Sequence, residues 1–120
     1  MIDHVLIYVN ELVRSKDFYK KAFVPFGYSL SFGEEGHFWS FDIGNGALFE
    51  IAQYHGDQLT PCHIAFRARS HDQVREFYDA SLKAGGKCNG APGPRPHYTE
   101  HYYAAFVIDP SGHNIEAVFK

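Results

Sequence analysis

The sequence has no excess of positive charge and no long hydrophobic run, and each absence excludes a class of protein. Its 11 Lys and Arg residues are outnumbered by 14 Asp and Glu residues and are scattered, so no basic stripe follows a phosphate backbone. Nucleic acid is therefore excluded as a partner. No apolar run is long enough to span a bilayer, and the chain opens in an alternating apolar segment without a signal peptide. We therefore expect a cytoplasmic protein with no membrane association.

Cysteine is also scarce, because only Cys62 and Cys88 occur and they do not form a CxxC pair. Two isolated cysteines in such a chain are expected to be reduced thiols rather than a disulfide. What the chain has is ordinary globular composition, with 45% apolar and 21% charged residues over 120 positions. This length predicts a single domain, residues 1–120, which buries its own core and needs neither a metal nor a disulfide to fold.

A repeat divides the chain into two halves. Residues 2–9 and 62–68 alternate apolar and polar side chains as half-buried strands do, and each is followed by a helical apolar stripe at i, i+3, i+4 spacing. The two segments match at one offset of 59 residues, which pairs His4 with His63, Phe18 with Phe77 and Tyr19 with Tyr78. A His before a strand and a Phe-Tyr pair on the next helix, found twice, indicate a duplicated unit.

Three more strands are predicted in each half, over residues 27–32, 38–43 and 47–53 and over residues 86–89, 101–108 and 113–119. A Gly/Pro loop is predicted for residues 90–96. The organisation is therefore a first module over 1–54, a linker over 55–61 and a second module over 62–120. The predicted fold is α+β, with two βαβββ modules forming an open, curled mixed sheet around a central cleft.

Local signals mark several boundaries. Asn10 and Ser70 are the predicted N-caps of the two helices, and Gln73, three residues after Ser70, predicts a capping box. Residues 109–112, Asp-Pro-Ser-Gly, predict a type I turn between the last two strands.

Strand alternation turns four polar side chains toward the cleft. If the apolar members of each strand pack on a helix, then His4, Glu50, His63 and Glu116 all point to the other face. A carboxylate in a strand of Phe, Ile, Ala and Val is costly unless it is solvated, paired or bound to a cation. Two imidazoles and two carboxylates suit Zn²⁺, Ni²⁺, Fe²⁺, Co²⁺ or Mn²⁺. The pattern alone is equally compatible with hydrogen-bonded histidines and solvated glutamates.

The sequence resembles the vicinal oxygen chelate superfamily, the group of glyoxalases, bleomycin-resistance proteins and extradiol dioxygenases. The resemblance covers nearly the whole chain and rests on three segments: Asp3-His4-Val5 leading to Ser15-x-x-Phe18-Tyr19, His63-Ile64-Ala65-Phe66, and Phe106-Val107-Ile108-Asp109-Pro110-x-Gly112-x-x-Ile115-Glu116. It implies two βαβββ modules around a divalent metal ion. The implied ligands are His4, Glu50, His63 and Glu116, and the cleft of short members is often completed across a homodimer.

The resemblance does not extend to glutathione recognition. Glyoxalase I enzymes carry Asn-x-Gly after the first-module ligand and a Lys-Gly-Gly loop in the second module. Here residues 52–55 read Ala-Gln-Tyr-His and residues 93–98 read Gly-Pro-Arg-Pro-His-Tyr. These segments look more like a small, poorly characterised bacterial branch of the superfamily.

The resemblance implies a metal-dependent lyase or isomerase acting on a small oxygenated substrate. In this reading Glu50 or Glu116 moves a proton, and His101 and Tyr103 are further catalytic candidates. The candidate substrate-binding residues are His97, Tyr98 and Arg95, the last being suited to a carboxylate or phosphate but equally typical of a polar surface turn.

Two other functions remain open. The aromatic cluster of Tyr98, Tyr102 and Tyr103 also suits a metal-free binding protein of the drug-resistance type. An extradiol dioxygenase would need only His4, His63 and Glu116, would prefer Fe²⁺ and would consume oxygen.

Overall fold

The structure, a computed structural model, describes all 120 residues and shows the same order of elements in both halves. The first half consists of β1 (His4–Val9), α1 (Leu12–Ala22), a 3₁₀ helix (Val24–Phe26), β2 (Ser29–Glu34), β3 (Phe38–Asp42) and β4 (Leu48–Gln53). The second consists of β5 (His63–Arg67), α2 (His71–Lys83), β6 (Lys87–Pro94), β7 (Tyr103–Ile108) and β8 (Asn114–Phe119). The predicted βαβββ repeat is confirmed. Neither helix has the length and apolarity needed to cross a lipid bilayer.

Each half forms one four-stranded mixed sheet, and neither sheet closes. The strand order is β1-β4-β3-β2 in the first sheet and β5-β8-β7-β6 in the second, so the topology of the repeat is identical. The first strand of each half pairs in parallel with the last strand, and the other pairs are antiparallel. Each strand of the first sheet therefore pairs with the same neighbours as its counterpart in the second sheet, and the predicted fold class is confirmed.

Strand β6 is longer than predicted, because the Gly/Pro stretch assigned to a loop continues it to Pro94. The pairing with β7 is irregular there, with register shifts between Cys88 and Gly90 and between Gly90 and Gly93. Proline has no N–H to give to a ladder, and it is tolerated at an edge strand with bulges. Because β6 is the edge of its sheet, the composition that suggested a loop is compatible with a strand.

The two halves share one hydrophobic core. Phe66 of β5 lies against Phe23 and Phe49 of the first half, with ring centroids 5.2 and 5.4 Å apart, and against Phe26 at 6.2 Å. The apolar stripes of α1 and α2 enter the same core, and its 19 buried side chains come from both sheets. Each fully buried Phe contributes about 1.5–3 kcal/mol to folding. Burial therefore joins the two modules into one folded unit.

The two helix starts differ from each other. At α2 the predicted cap is confirmed, since the backbone N–H of Gln73 donates to Ser70 Oγ over 3.0 Å. In a capping box the Gln73 side chain would accept from the N–H of the N-cap residue, Ser70. Here it accepts from the N–H of Arg69, one residue earlier. At α1 the predicted cap Asn10 is wrong, because the N-cap residue is Glu11 and its side chain caps nothing.

A neighbouring strand supplies the missing cap of α1. The Oε1 atom of Gln53, in β4, accepts from the N–H of Leu12 at 3.0 Å, and its Nε2 atom donates to the carbonyl of Asn10 at 2.7 Å. Gln53 is 41 residues from Leu12 in sequence. Local sequence patterns do not predict such a tertiary cap.

Candidate functional site

The four predicted ligands lie on the strand faces that point away from the core. In β1 the buried side chains are Ile7 and Val9, and His4 is exposed on the other face. In β5 Phe66 is buried and His63 is exposed. The alternation predicted for these strands is therefore confirmed.

His63 and Glu116 form a direct pair on the second sheet. In the parallel β5–β8 register His63 lies opposite Asn114, so Glu116 is one strand across and two residues further, on the same face. His63 Nε2 and Glu116 Oε1 are 3.0 Å apart, and His63 Nδ1 lies 2.9 Å from the carbonyl oxygen of Asn114. Glu116 is only 2% exposed. The backbone carbonyl and the carboxylate together fix the orientation of the imidazole ring.

Tyr102 is the third member of this cluster, and it was not among the residues predicted for the metal site. Its hydroxyl donates a short hydrogen bond to Glu116 Oε2, the oxygen that does not face His63. Burial, followed by the hydrogen bond and charge of Glu116, raises the pKa of Tyr102 to about 12. Tyr102 therefore remains a protonated donor to the carboxylate across the physiological pH range.

The predicted catalytic residue Tyr103 lies on the other side of the sheet. Its hydroxyl accepts from Arg75 Nη1 at 3.0 Å, and its ring stacks on His71 at 3.9 Å, so both contacts are with α2. Phe106, on the opposite face of β7, stacks on His63 at 6.2 Å. Strand β7 is apolar on both faces, so residue size does not identify the core side. The structure gives Tyr103 no contact with Glu116, and its catalytic role stays a prediction.

The donor set of the His63–Glu116 pair fits a cation. Both ring nitrogens of His63 face oxygen acceptors, and a neutral imidazole has only one N–H to donate. One acceptor contact therefore requires a second proton or a cation. Two ligands bound to one ion through bonds of about 2.1 Å lie about 3.0 Å apart at an octahedral ion and about 3.4 Å apart at a tetrahedral one, and the 3.0 Å found here is at the short end of this range. The carbonyl of Asn114 holds the second nitrogen, as is usual for metal-binding histidines.

His4 and Glu50 lie on one face of the first sheet, with His4 opposite Leu48 and Glu50 two residues further along β4. His4 Nδ1 is 2.7 Å from Asp3 Oδ1, and this hydrogen bond is the main reason why the pKa of His4 is raised, with the charge of Glu50 adding to it. No group of three or more His, Cys, Asp and Glu side chains lies close enough in the chain to hold one ion. The chain thus assembles the four predicted ligands as two pairs on two sheets.

The face around His4 and Glu50 is open and apolar. Leu6 and Tyr8 of β1 are 43% and 52% exposed, and Phe32 of β2 is 49% exposed. In the sheet register Leu6 and Ser40 both lie beside Glu50, and Phe32 lies beside Ser40, so these side chains share one face. Exposed apolar side chains on one sheet face are typical of a surface that contacts a ligand or another chain.

The predicted substrate-binding residues lie at different distances from the His63–Glu116 pair. The Arg95 guanidinium lies over the ring of Phe106 at 5.5 Å, and Phe106 in turn contacts His63. Tyr98 packs edge-on against Tyr102 at 5.0 Å. Arg95 and Tyr98 therefore extend the surface around the pair.

The two remaining histidines of this segment are further out. His97 packs on Tyr98 at 4.2 Å, with no contact to Glu116. His101 is exposed and has a positive φ of 69°, and its Nε2 atom is 3.6 Å from Glu100 Oε1. The structure brings neither histidine to the pair, and their proposed roles stay predictions.

Comparison with known proteins identifies the family. A family model described as the Glyoxalase/Bleomycin resistance protein/Dioxygenase superfamily matches residues 1–117. A glyoxalase/bleomycin resistance protein from Albidiferax ferrireducens is 26% identical and has a TM-score of 0.86, with 100% of this chain and 99% of that chain covered.

Two further solved structures share the fold. A glyoxalase-related enzyme from Fulvimarina pelagi is 20% identical over 100% of this chain and 88% of its own, with a TM-score of 0.80. A lactoylglutathione lyase from Agrobacterium tumefaciens is 17% identical over 99% and 92%, with a TM-score of 0.77. No curated protein matches the chain in sequence. The family-model match over nearly the whole length, together with the repeated βαβββ topology, shows that the chain belongs to the glyoxalase/bleomycin resistance protein/dioxygenase superfamily.

Proposed function

We propose that this protein is a metal-dependent enzyme of the lyase or isomerase type that acts on a small oxygenated molecule. The observation that carries the proposal is the His63–Glu116 pair, in which an imidazole nitrogen and a buried carboxylate oxygen lie 3.0 Å apart. Tyr102 and the carbonyl of Asn114 hold the two side chains in this orientation. Such preorganisation is typical of metal sites, whose ligands are oriented by hydrogen bonds from a second layer of residues.

A second copy of the chain is proposed to complete the site. His63 and Glu116 of one copy would bind the ion, one of Zn²⁺, Ni²⁺, Fe²⁺, Co²⁺ or Mn²⁺, together with His4 and Glu50 of the other. Two features support this arrangement: the pairs lie on separate sheets, and the face that bears His4 leaves apolar side chains exposed. Burying that face against the second sheet of a partner would cover the apolar surface and join the pairs.

The chemistry follows from the residues around the pair. A bound divalent ion supplies Lewis acidity, which stabilises negative charge that develops on a substrate oxygen. Glu116 is the proposed proton acceptor: it would leave the metal and take the proton through Oε1, because the Tyr102 hydroxyl already occupies Oε2. Glu50, in the second pair, is the alternative carboxylate for this proton transfer. The Arg95 guanidinium lies on the same surface and is proposed to orient a substrate carboxylate or phosphate.

Metal analysis tests the ligand assignment. Protein purified without chelator is expected to carry roughly one equivalent of a transition metal per chain, and His63→Ala is expected to carry none. His37→Ala is the matched control, because His37 is also exposed but lies in the β2–β3 turn, where its side chain pairs with Glu34 at 3.7 Å. Equal metal content in His63→Ala and His37→Ala would remove the assigned site.

Subunit mixing tests whether the site is shared. A dimer of this kind has two sites, each built from His4 of one copy and His63 of the other. In a homodimer of His4→Ala, and likewise in a homodimer of His63→Ala, both sites lack one histidine. In the mixed dimer one site loses both histidines and the other regains both. Unfolding the two variants together and refolding them should therefore restore metal binding, although each alone binds none. A site contained within one chain would show no recovery.

Activity separates the remaining functions. Oxygen consumption by the Fe²⁺-loaded protein would assign dioxygenase chemistry in place of lyase or isomerase chemistry. Unchanged small-molecule binding after complete removal of metal would instead identify a binding protein.

A further inference from the structure

We propose that the protein has a second ligand site, a cavity at the junction of the two halves that binds a small organic molecule through a phosphate or carboxylate group. The cavity has a volume of about 600 Å³, and Arg67, Arg69 and Tyr28 contribute to its wall. It shares no residue with the proposed metal site. The inference therefore goes beyond the proposed function and does not depend on it.

The two arginines differ from the other three in the chain. Arg14 pairs with Glu11, Arg75 with Asp72 and Tyr103, and Arg95 donates to the carbonyl of Ala91 at 2.8 Å. The guanidinium groups of Arg67 and Arg69 make no hydrogen bond or ion pair within the chain. Both line the same cavity. Two guanidinium groups without partners, carried by residues that line one cavity, can form a receptor for a planar carboxylate or a phosphate.

Strand geometry lets both arginines reach one anion. The alternation of exposed and buried residues continues beyond the end of β5, with Arg67 and Arg69 exposed on one side and Ala68 buried between them. Residues two apart in a strand are about 6.6 Å apart and point to the same side. This spacing allows the two long side chains to converge on a single group.

The backbone of this region is firmly held. Arg69 N–H donates to Gln73 Oε1 at 2.7 Å, and Gln73 Nε2 donates to the carbonyl of Pro25 at 2.9 Å. Gln73 is 9% exposed, and through these two hydrogen bonds it connects α2 to the segment after β5 and to the 3₁₀ helix. The site is therefore preformed, so that binding does not have to order the loop that carries Arg69.

The rest of the wall defines the ligand class. The ring of Tyr28 stacks on Phe26 with 5.0 Å between centroids, and both residues line the cavity, which gives it an apolar part. The Tyr28 hydroxyl has no hydrogen-bond partner within the chain and lies within the electrostatic reach of Arg69. The one carboxylate in the wall, Asp42, accepts from Gly44 N–H at 2.9 Å. Two cations, one anion and an aromatic wall suit an anionic molecule with an apolar body better than a free inorganic ion.

Titration with phosphate and phenyl phosphate, followed by amide NMR of the full chain, tests the site. Metal is removed with EDTA and the chelator is then removed by dialysis, so that neither metal-bound phosphate nor the carboxylates of EDTA contribute, and sodium chloride keeps the ionic strength constant. We expect both probes to shift the amides of Arg67, Arg69 and the start of α2, with phenyl phosphate binding several-fold more tightly. Arg67→Gln and Arg69→Gln should each weaken phenyl phosphate binding by about tenfold or more.

Arg14→Gln is the matched control, since it also removes one exposed guanidinium but lies on α1, outside the cavity. It should bind phenyl phosphate as the wild-type protein does. The proposal is refuted if the three arginine variants weaken binding equally, if the shifts occur around Arg95 instead, or if neither probe shifts the amides of this region below about 10 mM. None of these outcomes depends on whether the protein binds a metal, so the experiment tests the anion site separately from the proposed metal centre.

Discussion

Replacing Tyr19 by Phe tests how the two halves are held together. Tyr19, in α1 of the first half, donates through its hydroxyl to Asp109 Oδ2 of the second half over 2.5 Å. Tyr19 is 0% exposed and Asp109 is 4% exposed, so water does not reach this hydrogen bond to take the place of either partner. The Oδ1 atom of Asp109 already accepts from the N–H groups of Ser111 and His113, at 2.9 and 2.8 Å. Removing the hydroxyl therefore leaves Oδ2 buried without a donor.

The expected loss in the free energy of unfolding is about 2 kcal/mol. A hydrogen bond to a charged group contributes about 1.5–3 kcal/mol, and in the variant Oδ2 of Asp109 has no other donor. The ring itself remains in place, with Phe18, Phe23 and Phe49 at 4.9, 5.2 and 5.0 Å, so no cavity forms. Urea unfolding followed by circular dichroism measures the loss, provided that the m-value is unchanged.

The same variant should change the response to alkaline pH. Burial, and then the charge of Asp109, raise the pKa of Tyr19 well above 10.0 in the folded protein. The associated stabilisation is complete below pH about 10 and is lost above it, because there the unfolded tyrosine ionises while the folded one stays protonated. Each raised group steepens this loss by about 1.4 kcal/mol per pH unit. Tyr19→Phe should flatten the decline by that amount.

Tyr54→Phe provides the control for both measurements. Its hydroxyl donates to the carbonyl of Gln58 at 2.9 Å on the exposed linker, and its loss should cost less than about 0.5 kcal/mol. If Tyr19→Phe and Tyr54→Phe destabilise the protein equally, the buried contact with Asp109 does not hold the halves together. A double-mutant cycle with Asp109→Asn should give a coupling energy of about 1–2 kcal/mol, and a value near zero would lead to the same conclusion.

Three further substitutions probe the site, the helix start and the core. Tyr102→Phe should lower metal affinity by about 10- to 100-fold without unfolding the protein, since it frees Oε2 of Glu116; metal competition with a chromophoric chelator measures this, and unchanged affinity would contradict the role of Tyr102. Ser70→Ala should destabilise the protein by about 1 kcal/mol in urea, whereas Asn10→Ala, at the position that caps nothing, should cost much less; equal losses would contradict the assigned cap. Phe66→Ala should cost about 3–5 kcal/mol, because its ring fills the core between the halves, and a loss below 2 kcal/mol would mean that the halves fold independently.

Several features of the fold could be read from the sequence because they depend on local periodicity. The 59-residue offset that pairs His4 with His63 predicted the repeat, and the alternation in β1 and β5 placed these two histidines on the faces away from the core. A half-buried strand repeats every two residues, so one buried side chain assigns all of its neighbours. The Ser70 cap depends on residues within three positions and was predicted for the same reason.

The tertiary structure decided what periodicity leaves open. Strand β7 is apolar on both faces, and only its packing on α2 shows that Tyr102, rather than Tyr103, reaches Glu116. The cap of α1 comes from Gln53, which is brought close by the parallel pairing of β1 and β4. The sequence by itself determined which side chains share a strand face, because that property is set by neighbours along the chain. Which faces meet, and which carboxylate each hydroxyl and imidazole contacts, depends on the packing of segments far apart in sequence, and only the folded chain specifies it.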